Sequence, residues 1–144
     1  MAEINREDLA YAAGFFDGEG SVGIKMHKGK RGLFHTPYAT VSQVRPEVLI
    51  WMRELFGGSI RFNEQGGKNG IWALQLSARK ALNMLRALLP FLKVKKQEAQ
   101  LVLEAFERKT INRVAGVPQD LQDLRQGNRL KIMALRKPSE WPRG

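Results

Sequence analysis

Two carboxylates set two positions apart, Asp17 and Glu19, stand among glycines in the stretch 12–20, AAGFFDGEG. A helix ending in Asp-Gly-Glu-Gly projects both acids at a tight turn, an arrangement suited to holding a divalent cation near a polyanion. Two such ends side by side near two phosphodiesters would meet the needs of metal-assisted hydrolysis, in which the cation stabilises developing charge and acidifies the attacking water. Other chemistries are closed. The chain has no cysteine, which removes thiolate nucleophiles, disulfides and thiolate zinc sites. His27 and His35 are the only imidazoles, too few for an all-histidine centre, so a metal here takes oxygen ligands.

The charge pattern names the polyanion. Across 144 residues, 24 lysines and arginines face 14 acids, a net charge of +10. Residues 1–19 carry five acids and one base, whereas residues 20–46 carry five bases and no acid. An acidic head on a basic body points to nucleic acid as the partner, with the divalent cation reconciling the carboxylates to it. A hydrophobic fraction of 43% is enough to bury a core. No apolar run approaches a membrane span, and the start MAEINREDLA has neither a basic n-region nor an apolar h-region. The expected setting is intracellular, neither secreted nor membrane-bound, with bacterial cytoplasm and an organelle (chloroplast or mitochondrion) both open.

The elements that must position the acids follow from periodicity. Leu9, Ala12, Ala13 and Phe16 recur at helical spacing, which predicts a helix over 6–17 with Asn5 as N-cap and Gly18 and Gly20 as its stop. Residues 21–28 alternate, with Val22, Ile24 and Met26 inward and Lys25 and His27 outward. A turn at 29–32 leads into a second alternating run over 35–44, with Ala39 and Val41 inward and Tyr38 and Thr40 outward. A helix is predicted over 46–56. A second hairpin then places Ile60, Phe62, Trp72, Leu74 and Leu76 inward and Arg61, Asn63, Gln65 and Gln75 outward. Helices over 78–89, 94–109 and 119–136 complete the chain, and the last residues read as a frayed tail. Trp51 and Trp72 read as core. The prediction is one α+β domain, core about 5–110 with a C-terminal helical extension and tail over 111–144. A four-stranded antiparallel sheet carries helices on one face, leaving the other polar, basic and open to the major groove. Lys25, His27, Tyr38, Thr40, Arg61, Asn63, Gln65 and Gln75 line that face, with Lys28, Lys30, Arg31 and Arg45 from adjoining segments.

The nonapeptide 12–20, with Tyr11 before it and SVGI after it, resembles the LAGLIDADG homing-endonuclease motif in the form whose last acid is Glu. The resemblance extends over residues 7–109 through the αββαββα order, SQ at 42–43, GGSI at 57–60 and PFLKVKKQ at 90–97. It implies a catalytic set of Asp17, Glu19, Gln43 and Lys95. Glu19 matches the metal-binding acid, with the Gly18 carbonyl as second ligand, and Asp17 matches the earlier acid at the helix end. Gln43 matches a polar residue that orders water or metal beside the scissile phosphate, and Lys95 a basic residue that stabilises transition-state charge. The family's further basic residue has no clean match. Arg45 is nearby, but Pro46 breaks the alignment.

A single motif implies a homodimer packed through Tyr11, Ala12, Ala13, Phe15 and Phe16, the small residues letting two helices approach closely. Twofold symmetry then implies a nearly palindromic DNA site. The resemblance implies a double-strand DNA endonuclease of a mobile intron that uses Mg²⁺ and leaves short 3′ overhangs. Mn²⁺ would substitute, and Ca²⁺ would support binding without cleavage. A second reading keeps binding and drops cleavage: an RNA maturase acting on its host intron, or a catalytically silent DNA-binding regulator.

Overall fold

The computed structural model describes residues 3–30, 32–64, 70–108 and 116–137. Arg31, Gln65, most of the second turn and the C-terminal tail lie outside them. The described residues form five α-helices and one four-stranded antiparallel sheet, an α+β fold.

Helix α1 spans Arg6–Glu19. Its start is fixed by Asn5, whose side-chain oxygen accepts the Asp8 N–H at 2.8 Å. The predicted stop at Gly18 is corrected. The helix runs on through Glu19 and ends at Gly20, whose N–H reaches the Phe16 carbonyl, because a glycine lowers helix propensity without forbidding the last turn. Strand β1, Gly20–Gly29, begins there without a loop, and β2, Gly32–Gln43, returns along it in a register that pairs Gly20 with Val41 and Gly29 with Gly32.

Helix α2, Glu47–Phe56, follows Pro46, and the positive φ of Gly57 and Gly58 turns the chain into β3, Ser59–Asn63. Strand β4, Ile71–Ser77, pairs with both β3 and β2, giving the order β1-β2-β4-β3. Helix α3, Ala78–Leu88, starts directly from β4 through Ala78 at φ 53°. A 3₁₀ turn over Leu89–Phe91 precedes α4, Lys96–Ala105, and α5 spans Gln119–Leu135. Helix α4 is shorter than the predicted 94–109: residues 93–95 bend so that their N–H groups meet the Asp17 carboxylate, and the helix stops at Ala105. No helix among the described residues is long and apolar enough to cross a membrane.

The helices cover one face of the sheet. Ala12, Ala13 and Phe16 of α1 are buried with Val22, Ile24, Ala39, Val41, Leu74 and Leu76 from the strands and with Leu85, Leu88 and Val102 from α3 and α4. Two inward assignments fail in degree. Met26 is 36% exposed and Phe62 is 45% exposed, since the β1–β2 hairpin outruns the helical layer and β3 is an edge strand. Phe62 still packs on Trp72, ring centroids 4.8 Å apart. Helix α5 buries Leu121, Arg125, Asn128 and Ile132. Asn128 donates to the Leu101 carbonyl at 2.8 Å, and Arg125 donates to the Ala105 carbonyl at 3.1 Å while lying 4.3 Å from the Phe106 ring centre. Burial and the nearby Arg108 charge lower the Arg125 pKa, so this cation is kept by hydrogen bonding and ring contact.

Candidate active site and nucleic-acid interface

The direct passage from α1 into β1 sets Glu19 at the margin of the sheet. Glu19 is exposed and makes no hydrogen bond or ion pair with any described residue. The Gly18 carbonyl lies in the last turn, where carbonyls lack intrahelical donors and the helix dipole is negative. No basic residue sits in that turn to offset it. An exposed carboxylate on the negative end of a helix is an electrostatically unfavourable arrangement that a divalent cation relieves.

Asp17 faces the other way. Its carboxylate accepts the backbone N–H groups of Lys93 at 2.8 Å, Val94 at 3.1 Å and Lys95 at 3.0 Å. The Lys95 ammonium in turn donates to the Asp17 carbonyl at 3.1 Å. The Asp17 oxygens thus anchor the approach to α4 and bring Lys95 to the end of α1, the helix-end place that the resemblance gives this acid. Gln43 ends β2, two residues past the Val41 that pairs with Gly20, and so lies at the same end of the sheet as Glu19. Its side-chain oxygen accepts the Val44 N–H at 2.8 Å, leaving the amide nitrogen as a donor. Arg45 pairs with Glu47 at 3.0 Å, its side chain 81% exposed. The Glu47 carboxyl is held below its usual pKa by hydrogen bonding to backbone and to Arg45.

Among the described residues no group of three or more His, Asp or Glu side chains could hold a metal ion. Glu19 and the Gly18 carbonyl are hard oxygen donors. They fit a cation such as Mg²⁺ that keeps waters and phosphate oxygens among its ligands.

The uncovered face of the sheet carries the described members of the predicted polar set in register. Ser21 pairs with Thr40, Gly23 with Tyr38 and Lys25 with Thr36 across β1 and β2. Thr40 pairs with Gln75, and Arg61 and Asn63 of β3 stand opposite Ala73 and Ile71 of β4. A groove of about 650 Å³ runs over Thr40, Ser42, Arg61, Asn63 and Gln75. The Lys25 ammonium lies 5.3 Å from the Tyr38 ring centre. His27 stacks on Phe34 at 4.7 Å and meets the Thr36 hydroxyl at 2.9 Å. Lys28 and Lys30 are exposed at the hairpin end. His35 is on the other side of β2, 6% exposed, its Nε2 against Gln126 of α5 at 3.0 Å.

The proposed subunit contact needs correction. Ala12, Ala13 and Phe16 are fully buried in the chain's own core and offer nothing to a second copy. The outward side of α1 is Tyr11, Gly14 and Gly18, with Phe15 half-buried beside them. A Cβ on Gly14 or Gly18 would meet nothing within 4 Å. Periodicity also missed Arg136. It follows α5, and its guanidinium reaches back to Val22 and Tyr38 across β1, a contact between distant segments that no local pattern signals.

No protein-family model and no curated protein sequence matches this sequence. Solved structures do match. The homing endonuclease I-CvuI, solved with target DNA, superposes with a TM-score of 0.74 at 19% identity, over 96% of this chain and 89% of that one. The archaeal intron-encoded homing endonuclease I-Vdi141I, complexed with DNA, gives 0.73 at 19% identity over 93% and 87%. The LAGLIDADG homing endonuclease I-GzeII gives 0.59 at 18% identity over 93% of this chain but 44% of that longer one. The helix that delivers Glu19, the polar sheet it opens onto and these superpositions agree: the chain has the fold of the LAGLIDADG homing endonucleases.

Proposed function

We propose that the chain is a homodimeric, divalent-metal-dependent, sequence-specific double-strand DNA endonuclease. The observation that carries this reading is the exposed Glu19 carboxylate, without a hydrogen-bond or ion-pair partner among the described residues, delivered by α1 to the edge of an uncovered basic sheet with the Lys95 ammonium anchored nearby. The sheet reads base edges in the major groove, and the helix end meets the backbone between the two half-sites.

Glu19 and the Gly18 carbonyl would hold the metal. A bound Mg²⁺ supplies neutralisation of phosphate charge and a more acidic water. Lys95 faces the charge that develops on the phosphate, Gln43 positions water through its free amide, and Asp17 keeps Lys95 in place. The water oxygen bonds to phosphorus as a P–O ester bond breaks. The water gives up a proton and the departing oxygen takes one.

One chain carries one such acid, and cutting both strands takes two. The chain spans 44% of I-GzeII, consistent with two units of this fold making a working nuclease. The second copy docks on Tyr11, Gly14, Phe15 and Gly18, which brings two Glu19 residues near one axis and calls for a nearly palindromic site cut to short 3′ overhangs.

The deciding experiment exposes a randomised duplex library to the protein in Mg²⁺, with a parallel binding selection in Ca²⁺. Short 3′ extensions around a nearly palindromic sequence establish nuclease and dimer together. Enrichment in Ca²⁺ with no cutting in Mg²⁺ overturns the nuclease in favour of a DNA-binding regulator, and no enrichment in either turns attention to RNA.

A further inference from the structure

Helix α5 ends beside the corner where Lys95 meets the start of β1. Arg136 reaches across β1: its Nη2 donates to the Val22 carbonyl at 2.8 Å and to the Tyr38 hydroxyl at 2.5 Å, and lies 3.5 Å from the Ser21 hydroxyl. Gly23 makes the room. A Cβ there would come within 2.7 Å of both the Arg136 Nη2 and the Tyr38 oxygen. The guanidinium is therefore oriented by three fixed groups on one nitrogen, while Nε and Nη1 have no partner among the described residues.

Arg136 also borders two cavities at once. One, of about 390 Å³, is shared with Lys25, His27 and Tyr38 of the recognition face. The other, of about 340 Å³, is shared with Gly20, Ser21, Lys95 and Glu98 beside the α1 terminus. Glu98 has a buried carboxylate oxygen without a hydrogen-bond partner, which makes this second cavity favourable to a neighbouring cation. Arg45 is engaged with Glu47 on the surface instead.

We propose that Arg136, from the C-terminal extension, is the second cation of the cleavage pocket, its Nε and Nη1 taking oxygens of the DNA phosphate that passes from the sheet to Lys95. This rests on the nuclease reading. The planar guanidinium grips a phosphate through two parallel hydrogen bonds, which a lysine cannot reproduce. Held in advance by Tyr38 and Val22, it meets the charge that grows on the phosphate during hydrolysis without first having to reorganise, so it acts on rate more than on affinity.

The test uses the full chain and the duplex recovered by the Ca²⁺ selection. Single-turnover cleavage in Mg²⁺ at saturating protein should fall about 100-fold in Arg136→Ala. Affinity in Ca²⁺ should change by less than about tenfold, and Arg136→Lys should recover part of the rate. Tyr38→Phe, which frees the guanidinium on one side and spares the core, should give an intermediate loss and decides the matter if Arg136→Ala folds poorly. Wild-type cleavage rates in these variants overturn the proposal. Phosphate-ethylation interference in Ca²⁺ separates it from the nuclease reading. Loss in Arg136→Ala of the interference at a phosphate near the site centre supports it even where Mg²⁺ yields no product, and an unchanged pattern overturns it.

Discussion

Asp17 and Lys95 hold one another in both directions: the Asp17 carboxylate accepts the Lys95 backbone N–H at 3.0 Å, and the Lys95 ammonium donates to the Asp17 backbone carbonyl at 3.1 Å. The pair ties the end of α1 to the start of α4 and fixes how far Lys95 stands from the carboxylate that follows in the chain. Asp17→Ala leaves three backbone N–H groups without their acceptor. It should cost about 2–4 kcal/mol of stability in a urea titration. It should also reduce cleavage at temperatures where the variant is fully folded, because the backbone that carries Lys95 loses its anchor.

Glu19→Gln should behave in the opposite way. The side chain makes no hydrogen bond or ion pair with any described residue, and neutralising it relieves charge at the negative end of α1, so stability should hold or rise by roughly a few tenths of a kcal/mol. Cleavage in Mg²⁺ should be abolished while specific binding persists. Product formation at the wild-type rate would remove Glu19 from the site.

On the sheet, Arg61→Ala should weaken binding by about 1–3 kcal/mol at defined base positions of a variant-site library, leaving other positions unchanged. Lys28→Ala should weaken all sequences alike and lower the salt dependence of binding by about one counterion. If Arg61→Ala instead weakens every sequence equally, its role is a backbone contact.

Gly14→Leu tests the outward side of α1. Space around that position is open within one chain, so the chain should keep its fold and gain about 0.5–1 kcal/mol from replacing a mid-helix glycine. Sedimentation equilibrium should show a dimer for the wild type and a monomer for this variant, with DNA affinity falling to that of a half-site. An unchanged dimer would place the contact elsewhere.

Much of this arrangement was legible in the residues themselves. Strict alternation sorted Lys25, Thr40, Arg61 and Gln75 onto one face because a half-buried strand has a period of two. Ala12, Ala13 and Phe16 announced a packed helix, but small residues suit a core and a subunit contact equally, and only the helix phase assigns Gly14 and Gly18 to the outside. The work of Asp17 was hidden for a different reason. Its partners are backbone groups 76 to 78 positions away, which carry no side-chain signature. Helix α5 showed a weak apolar stripe because Arg125 and Asn128 occupy two of its buried positions, each satisfied by a carbonyl of α4.

The hold of Arg136 on β1 has a consequence for how the protein keeps to itself. Strand β1 is ten residues long and stands at the rim of the sheet, a ready template for pairing with a foreign strand. With the end of α5 against it and the Val22 carbonyl already taken by Arg136, that rim is partly covered against edge-to-edge addition. A chain ending near residue 110 would keep the hairpin and lose the guard, and it should form light-scattering aggregates as its concentration rises while the intact protein stays clear.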